Sequence, residues 1–391
     1  MSLEPRPPGV AGFRIPLSME LAFELPLNED EAPNFEVVPD APGVIALTFG
    51  AGPPYLCRTA LLRRRLRRLL ATGPHPSRWG NVRQAARRVF YQPAGSPFEA
   101  ALLLYRLARR HRPDNYRRFL RLRTPPFVKV HLANEYPRTY ITRKLAARRA
   151  LFFGPFPSRV AAERFEGAFL DLFKIRRCRE TIVPDPEHPG CIYGEMDMCL
   201  RPCQARSSLE EYRGEVGGVL DFLHTGGDSL LRIIEQERDH ASESLEFEDA
   251  ARQHRKLEKV RETLKLKDEL ARDIDELFGV VVQPSVSWQA VELWMLYKGF
   301  LQPRLTFPFG VEDGKPVSLD RKLRDVFGEW EPSALRPRER ADHLALLSRW
   351  YYSSWRSGEI VLFDRVDRLP YRRLVNAISR VAAASQKAPQ G

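Results

Sequence analysis

Residues 173–204, FKIRRCRETIVPDPEHPGCIYGEMDMCLRPCQ, gather Cys178, Cys191, Cys199 and Cys203 into one compact segment, and the only other cysteine is Cys57. Prolines interrupt the segment, so it cannot run as a single helix. Four cysteines separated by loop-length gaps suit four thiolates converging on one soft metal centre, either an iron–sulfur cluster or tetrahedral zinc. The short CxxC knuckles of zinc ribbons are missing, which leaves both metals open, and His188 could replace one ligand. Two disulfides are the rival arrangement. A chain of 391 residues with five cysteines and no signal peptide is expected to be reduced, which disfavours them.

The start, MSLEPRPPGVAGF, has acid and proline where a signal peptide needs an apolar stretch, and no run approaches the length of a membrane span. A cytoplasmic protein with no membrane partner is the expectation. An excess of 62 Lys+Arg over 50 Asp+Glu gives a net charge of +12, with much of the arginine in the first half of the chain. That balance points to a polyanionic partner.

The pattern along the chain predicts an α/β (α+β) multidomain protein. Residues 1–35 are Pro-rich and read as a tail or a loose strand. Residues 36–120 open with two short apolar strands joined by a Gly-Pro turn, followed by a helix in which Leu62, Leu66, Leu69 and Leu70 form the buried stripe. Arg63, Arg64, Arg67 and Arg68 fall on the open face, while Arg65 borders the stripe and Arg58 ends the second strand nearby. No acid occurs between Arg58 and Arg68, so this surface is expected to attract phosphates.

Residues 121–205 read as strand, strand, helix and then the cysteine segment. Val128, Val130 and Leu132 alternate with Lys129 and His131, as in a sheet with one wet face. Ser158 caps a helix whose Ala161, Phe165, Ala168, Phe169 and Leu172 share one side, an arrangement that favours core over a base-stacking platform. Residues 206–270 turn helical and charged, and two narrow apolar stripes separated at Glu246 and Phe247 predict an antiparallel helical hairpin that must dock on a partner or on its own chain. Residues 271–391 combine strand-like VVVQP and AVELWMLY with helices carrying Trp350, Tyr351, Tyr352 and Trp355, a mixed α/β region without a visible active-site motif.

Several of these stretches together resemble one family. Pro42-Gly43-Val44-Ile45, Tyr55-Leu56-Cys57-Arg58 and Leu62-Arg63-Arg64-Arg65 are similar to the GIY-YIG nuclease domain that opens the UvrC excinucleases, the incision components of bacterial nucleotide excision repair. FEAALLLYRLARRHRPDNY, VKVHLANEYPRTYITR and FFGPFPS resemble the family's following segments, and SLEFEDAARQHRKLEKV resembles its UVR motif, although His254 and Arg255 depart from it. The resemblance covers roughly residues 36–270 and implies an iron–sulfur cluster, 4Fe-4S rather than zinc, on the four cysteines. It also implies DNA as ligand and the helicase UvrB as partner, through Leu245, Phe247, Ala250, Ala251 and Leu257. The family's second, RNase H-like nuclease has no counterpart in residues 271–391.

The departures bear on chemistry. By resemblance Tyr55, Arg58 and Arg65 stand where the nuclease has catalytic groups, but the first tyrosine position is Ile45, the second motif's glycine is Cys57, and the metal-binding glutamate position is Leu104. Glu99 cannot substitute. It belongs to a predicted capping box with Ser96 and Pro97, and five residues of helix rotate it about 140° from position 104. Leu104 is expected in an apolar stripe with Ala100, Leu103 and Leu107. The expected function is a DNA-binding repair protein with a silent nuclease site; the alternative is an active single-site endonuclease using Mg2+, and a weaker one is a structural iron–sulfur protein whose basic surface binds RNA.

Overall fold

The structure is a computed structural model and describes residues 20–27, 33–50, 52–71, 82–146, 149–312, 315–316, 318–328, 330–333 and 336–387. Residues 1–19, most of the expected N-terminal tail, lie outside the described residues. The chain is α+β, and by compactness it divides into two units. The first comprises residues 1–121, 283–292 and 382–391, the second residues 122–282 and 293–381.

In the first unit the chain runs β1 (Phe23–Leu25), β2 (Gly43–Thr48), β3 (Tyr55–Thr59), α1 (Leu62–Leu70), α2 (Val82–Ala85), β4 (Arg88–Pro93), α3 (Pro97–His111) and α4 (Tyr116–Phe119). The strands form an antiparallel sheet in the order β1-β4-β2-β3. Ile45 is paired with Cys57 on one side and Tyr91 on the other. Alternation therefore puts Ile45, Leu47, Val89 and Tyr91 on one face, where Leu62, Leu66, Leu69 and Leu70 of α1 close over them. Gly43 permits that closure, because a Cβ there would stand 2.4 Å from the Gln92 carbonyl oxygen and 2.6 Å from Leu62 Cδ1. Val44 and Ala46, which alternate to the other face, are also fully buried, and α3 packs on β2 and β3.

The second unit contains β5 (Phe127–His131), β6 (Thr139–Thr142), β7 (Ala150–Gly154), α5 (Arg159–Leu170), the short α6 (Ile192–Glu195), α7 (Leu209–His224), α8 (Asp228–Glu243), α9 (Phe247–Leu264) and β8 (Arg272–Asp273). Its sheet has the order β6-β5-β7-β8. Ser158 caps α5 as expected, its hydroxyl accepting from the Ala161 amide at 3.1 Å. The α5 aromatics are core: Phe165 stacks on Phe153, Phe169 meets Phe165 and Phe222, and Phe222 of α7 meets Phe173. Lys129 departs from the expected wet face. It is buried, because register places it between Tyr140 and Phe152, whose rings hold its ammonium at 5.3 and 5.6 Å.

The chain continues through β9 (Phe278–Pro284), β10 (Ala290–Tyr297), β11 (Phe300–Leu301), β12 (Leu305–Pro308), β13 (Val311–Glu312), β14 (Lys315–Pro316), α10 (Leu319–Gly328), α11 (Pro337–Tyr351), β15 (Glu359–Phe363) and α12 (Tyr371–Lys387). Strands β11-β10-β9-β15 form a third sheet, with β12 also on β10. Among the aromatics near the end of α11, Trp350 is buried and its indole donates to the Ser357 carbonyl, and Tyr352 donates to the Pro155 carbonyl. Only Trp355 of that group projects substantially into solvent. No helix among the described residues is long and apolar enough to cross a membrane.

Candidate functional site

The four thiols Cys178, Cys191, Cys199 and Cys203 line one small pocket, all of them free, with Cys199 and Cys203 buried. A buried arginine lines the pocket beside them. Arg176 is 1% exposed, and its guanidinium donates to the Tyr136 carbonyl at 2.8 Å, to the Glu180 carbonyl at 2.5 Å and towards Cys178 Sγ at 3.7 Å. Its own amide donates to the Tyr212 hydroxyl, which in turn donates to the Pro137 carbonyl, tying the start of the cysteine segment to α7 and the β5–β6 loop. Further along, the Asp185 amide donates to the Cys203 carbonyl and the Leu200 amide to the Lys174 carbonyl. Asp197, Arg201 and Ala205 all take positive φ, so three non-glycine residues near Cys199 and Cys203 sit in the left-handed region.

Burial pushes the Cys199 thiol up to about 11, with smaller contributions from the nearby Cys178, Cys191 and Cys203; the Arg201 amide bonded to its sulfur acts in the opposite direction. Cys203 is also raised by burial, and amide contacts from Cys203 and Gln204 oppose the shift. Backbone N–H groups aimed at sulfur stabilise thiolates once a metal removes the protons. The donor chemistry fits an iron–sulfur or zinc centre. The sulfurs are not drawn into a closed shell: among the described residues no three His, Cys, Asp or Glu side chains are arranged to hold a metal ion. His188 does not line the pocket, and its Nδ1 accepts from the Gly190 amide at 2.9 Å. Nothing in the sequence distinguishes Arg176 from Arg177 as the buried partner, and its role emerges from the fold alone.

The positions expected from the nuclease resemblance are brought together only in part. Tyr55 and Cys57 alternate onto the same face of β3, and Arg65 reaches back from α1 to donate to the Tyr55 hydroxyl at 3.3 Å. Burial raises the proton affinities of both Tyr55 and Cys57. Arg58 leaves β3 on the opposite face, because it pairs with Val44 rather than Ile45, so it does not share the Arg65 side. Ile45 is wholly buried beneath α1, and Leu104 is buried with Ala100 and Leu107, while Leu103 is only partly covered. Ser96 caps α3 as expected, but the Glu99 carboxylate accepts from the amide of Gly95, one residue before the cap, at 2.8 Å.

The basic face of α1 is not uniformly open. Glu36 pairs with both Arg63 and Arg67, and the Arg63 Nε donates to the Val38 carbonyl at 2.8 Å. The absence of acids between Arg58 and Arg68 therefore overstates the free charge, since the neutralising carboxylate comes from earlier in the chain. Arg64 and Arg68 are exposed and have no ion-pair partner among the described residues.

The α8–α9 hairpin is divided along its length. Ile234, Leu257 and Val260 enter the core built by α5 and α7. Leu257 is 0% exposed, so this one of the five expected partner-binding residues is used inside the chain. At the tip, Leu245 is 70% and Phe247 69% exposed, and Leu245 itself has φ of 58°. Ala250 is partly covered and Ala251 exposed.

Residues 126–222, which include strands β5–β7, α5, most of α7 and all four pocket cysteines, match the family model described as the UvrC/Cho excinuclease middle domain. The chain is UvrC-like. It is 34% identical to the UvrABC system protein C of Methanothermobacter thermautotrophicus over 166 residues, 42% of this chain and 28% of that protein. It is 25% identical to the protein of that name from Dehalococcoides mccartyi over 298 residues, 75% of this chain and 48% of the relative, and 23% identical to that of Acetivibrio thermocellus over 323 residues, 80% and 51%. The matched part thus spans about half of these relatives or less. No solved structure matches the chain.

Proposed function

We propose that this chain is a cytoplasmic nucleotide excision repair protein that binds DNA and a UvrB-like helicase without cutting. The observation that carries the reading is the coincidence of the thiol pocket with the stretch that matches the excinuclease middle domain. Exposed Arg64 and Arg68 supply phosphate contacts, and the exposed apolar tip at Leu245 and Phe247 supplies a partner surface. Cys178, Cys191, Cys199 and Cys203 would hold a 4Fe-4S cluster, which would act as a cross-link fixing the loop between α5 and α7.

The nuclease reading has less support. Tyr55 and Arg65 remain together, but leucine and isoleucine occupy buried positions where the resembling motif places a glutamate and a tyrosine. Without a carboxylate at position 104, Mg2+ lacks that anchor. The deciding experiment is an incision assay on damaged duplex with the helicase partner and Mg2+ or Mn2+ present. A stable protein–DNA–partner complex with uncut strands is expected. Efficient cleavage lost in Arg65→Ala would establish the endonuclease instead.

A further inference from the structure

Beside the thiol pocket, and sharing Arg177 and Tyr193 with it, lies an open cleft of about 470 Å³ between β6, α5 and the start of the cysteine segment. Its volume falls within the range of small-ligand sites, roughly 300–1,000 Å³. Four arginines line it, Arg138, Arg159, Arg177 and Arg179. Two of these lie over aromatic rings: the Arg138 guanidinium carbon is 4.8 Å from the Tyr140 centroid, and that of Arg177 5.7 Å from the Tyr193 centroid. A guanidinium in a cleft offers a planar face on which a base can stack and an N–H edge that bonds phosphate, and the neighbouring rings offer further stacking surface. Arg159 is paired with Glu163 and Arg177 with Asp171, whereas Arg179 is exposed with no ion-pair partner among the described residues. Thr139, which is buried, and Glu166, whose proton affinity burial raises, also line the cleft. Cation surface, stacking planes and a polar pair thus meet in one concave site.

We propose that this cleft binds one nucleotide of single-stranded DNA, its base stacked on the Arg138 or Arg177 plane and its phosphate on the arginine edges. The inference extends the nucleic-acid reading above and places a second, single-strand contact in the unit that carries the cysteines. A duplex end or a strand opened by a partner would supply such a nucleotide.

The test is binding of thymidine monophosphate and of a labelled oligothymidylate to the full chain, by calorimetry and fluorescence anisotropy. Arg138→Ala should weaken both by about tenfold, as expected for loss of one stacking or phosphate contact. Because Arg138 also donates to the Thr139 carbonyl, Arg179→Ser, an exposed position, provides a second variant whose thermal melting should match the parent. Unchanged binding in both variants overturns the proposal. Inorganic phosphate competing as well as the nucleotide reduces the cleft to an anion site and also overturns it, and a preference for oligouridylate overturns the assignment to DNA. Duplex binding serves as the separate arm: its loss in Arg64→Ala with Arg68→Ala, with thymidine monophosphate binding intact, supports both sites. Duplex binding insensitive to those two changes sinks only the α1 reading.

Discussion

The Arg65 guanidinium donates to the Tyr55 hydroxyl at 3.3 Å, joining the first turn of α1 to the start of β3 across the cluster that Ile45 fills from below. Two positions of the nuclease-like constellation are thereby kept together while the two that would bring a tyrosine and a metal ligand are apolar core. Leu104→Glu is expected to restore no incision and to destabilise the chain by about 3 kcal/mol, because it places a carboxylate in a buried stripe. Incision assays and calorimetric melting of this variant, alone and with Ile45→Tyr, measure both effects. Cleavage by the single variant at parental stability contradicts the assignment.

Anaerobically prepared protein should contain about four iron per chain. Cys199→Ser or Cys203→Ser should lose the metal and loosen the segment that Arg176 anchors, while Cys57→Ser, in the other unit, should leave metal content unchanged. Elemental analysis with the visible absorption spectrum decides this. Stoichiometric zinc without iron would replace the cluster with a single tetrahedral ion.

Phosphate contacts on α1 should divide by their pairing with Glu36. Neutralising Arg64 or Arg68 should each lower the slope of log affinity against log salt by about 0.9. Arg63→Ala and Arg67→Ala should change it less, since the Glu36 carboxylate already offsets these two charges. Equal effects at all four positions would mean that DNA breaks the Glu36 pairs.

The hairpin separates binding from stability. Leu245→Ala and Phe247→Ala should weaken helicase binding more than tenfold yet shift stability by no more than about 0.5 kcal/mol, because both side chains are exposed. Leu257→Ala should cost about 2–5 kcal/mol of folding free energy through the cavity it leaves. Pull-down and denaturant titration of the three variants give the comparison. Partner binding unaffected at the tip would assign the hairpin wholly to intramolecular packing.

Asp273 provides a pH signature. Burial raises its carboxyl to about 6 from a reference of 3.8, while the Asp275 amide and His224, 3.3 Å away, act in the other direction. An acid with a raised folded-state value favours folding when protonated, so its contribution is full below pH 3.8 and is lost as pH rises to about 6. The shift corresponds to about 3 kcal/mol. Asp273→Asn should flatten the stability profile across that interval and raise stability at neutral pH; a profile identical to the parent's would remove Asp273 as its source.

Local patterning was sufficient for much of this molecule. The spacing of Leu62, Leu66, Leu69 and Leu70 identifies a helix with one buried stripe, Ser96 and Ser158 mark two helix starts, and the break at Glu246 and Phe247 divides two helices, because each signal depends on neighbours within a turn or two. The cysteine segment announced itself by residue type. Tertiary structure alone decided which charges are satisfied and which faces are free. Lys129 has the sequence spacing of a solvated residue but is enclosed by rings from two neighbouring strands, and Glu36 reaches arginines 27 and 31 positions later in the chain. Arg176 and Arg177 are indistinguishable in sequence, yet one is buried as the anchor of Cys178 and the other opens onto a cleft. Leu245 and Leu257 each belong to an apolar stripe of the hairpin, and only the docking of the hairpin base on α5 and α7 makes one core and leaves the other exposed. Periodicity records which side of an element is apolar, whereas long-range packing determines what covers that side.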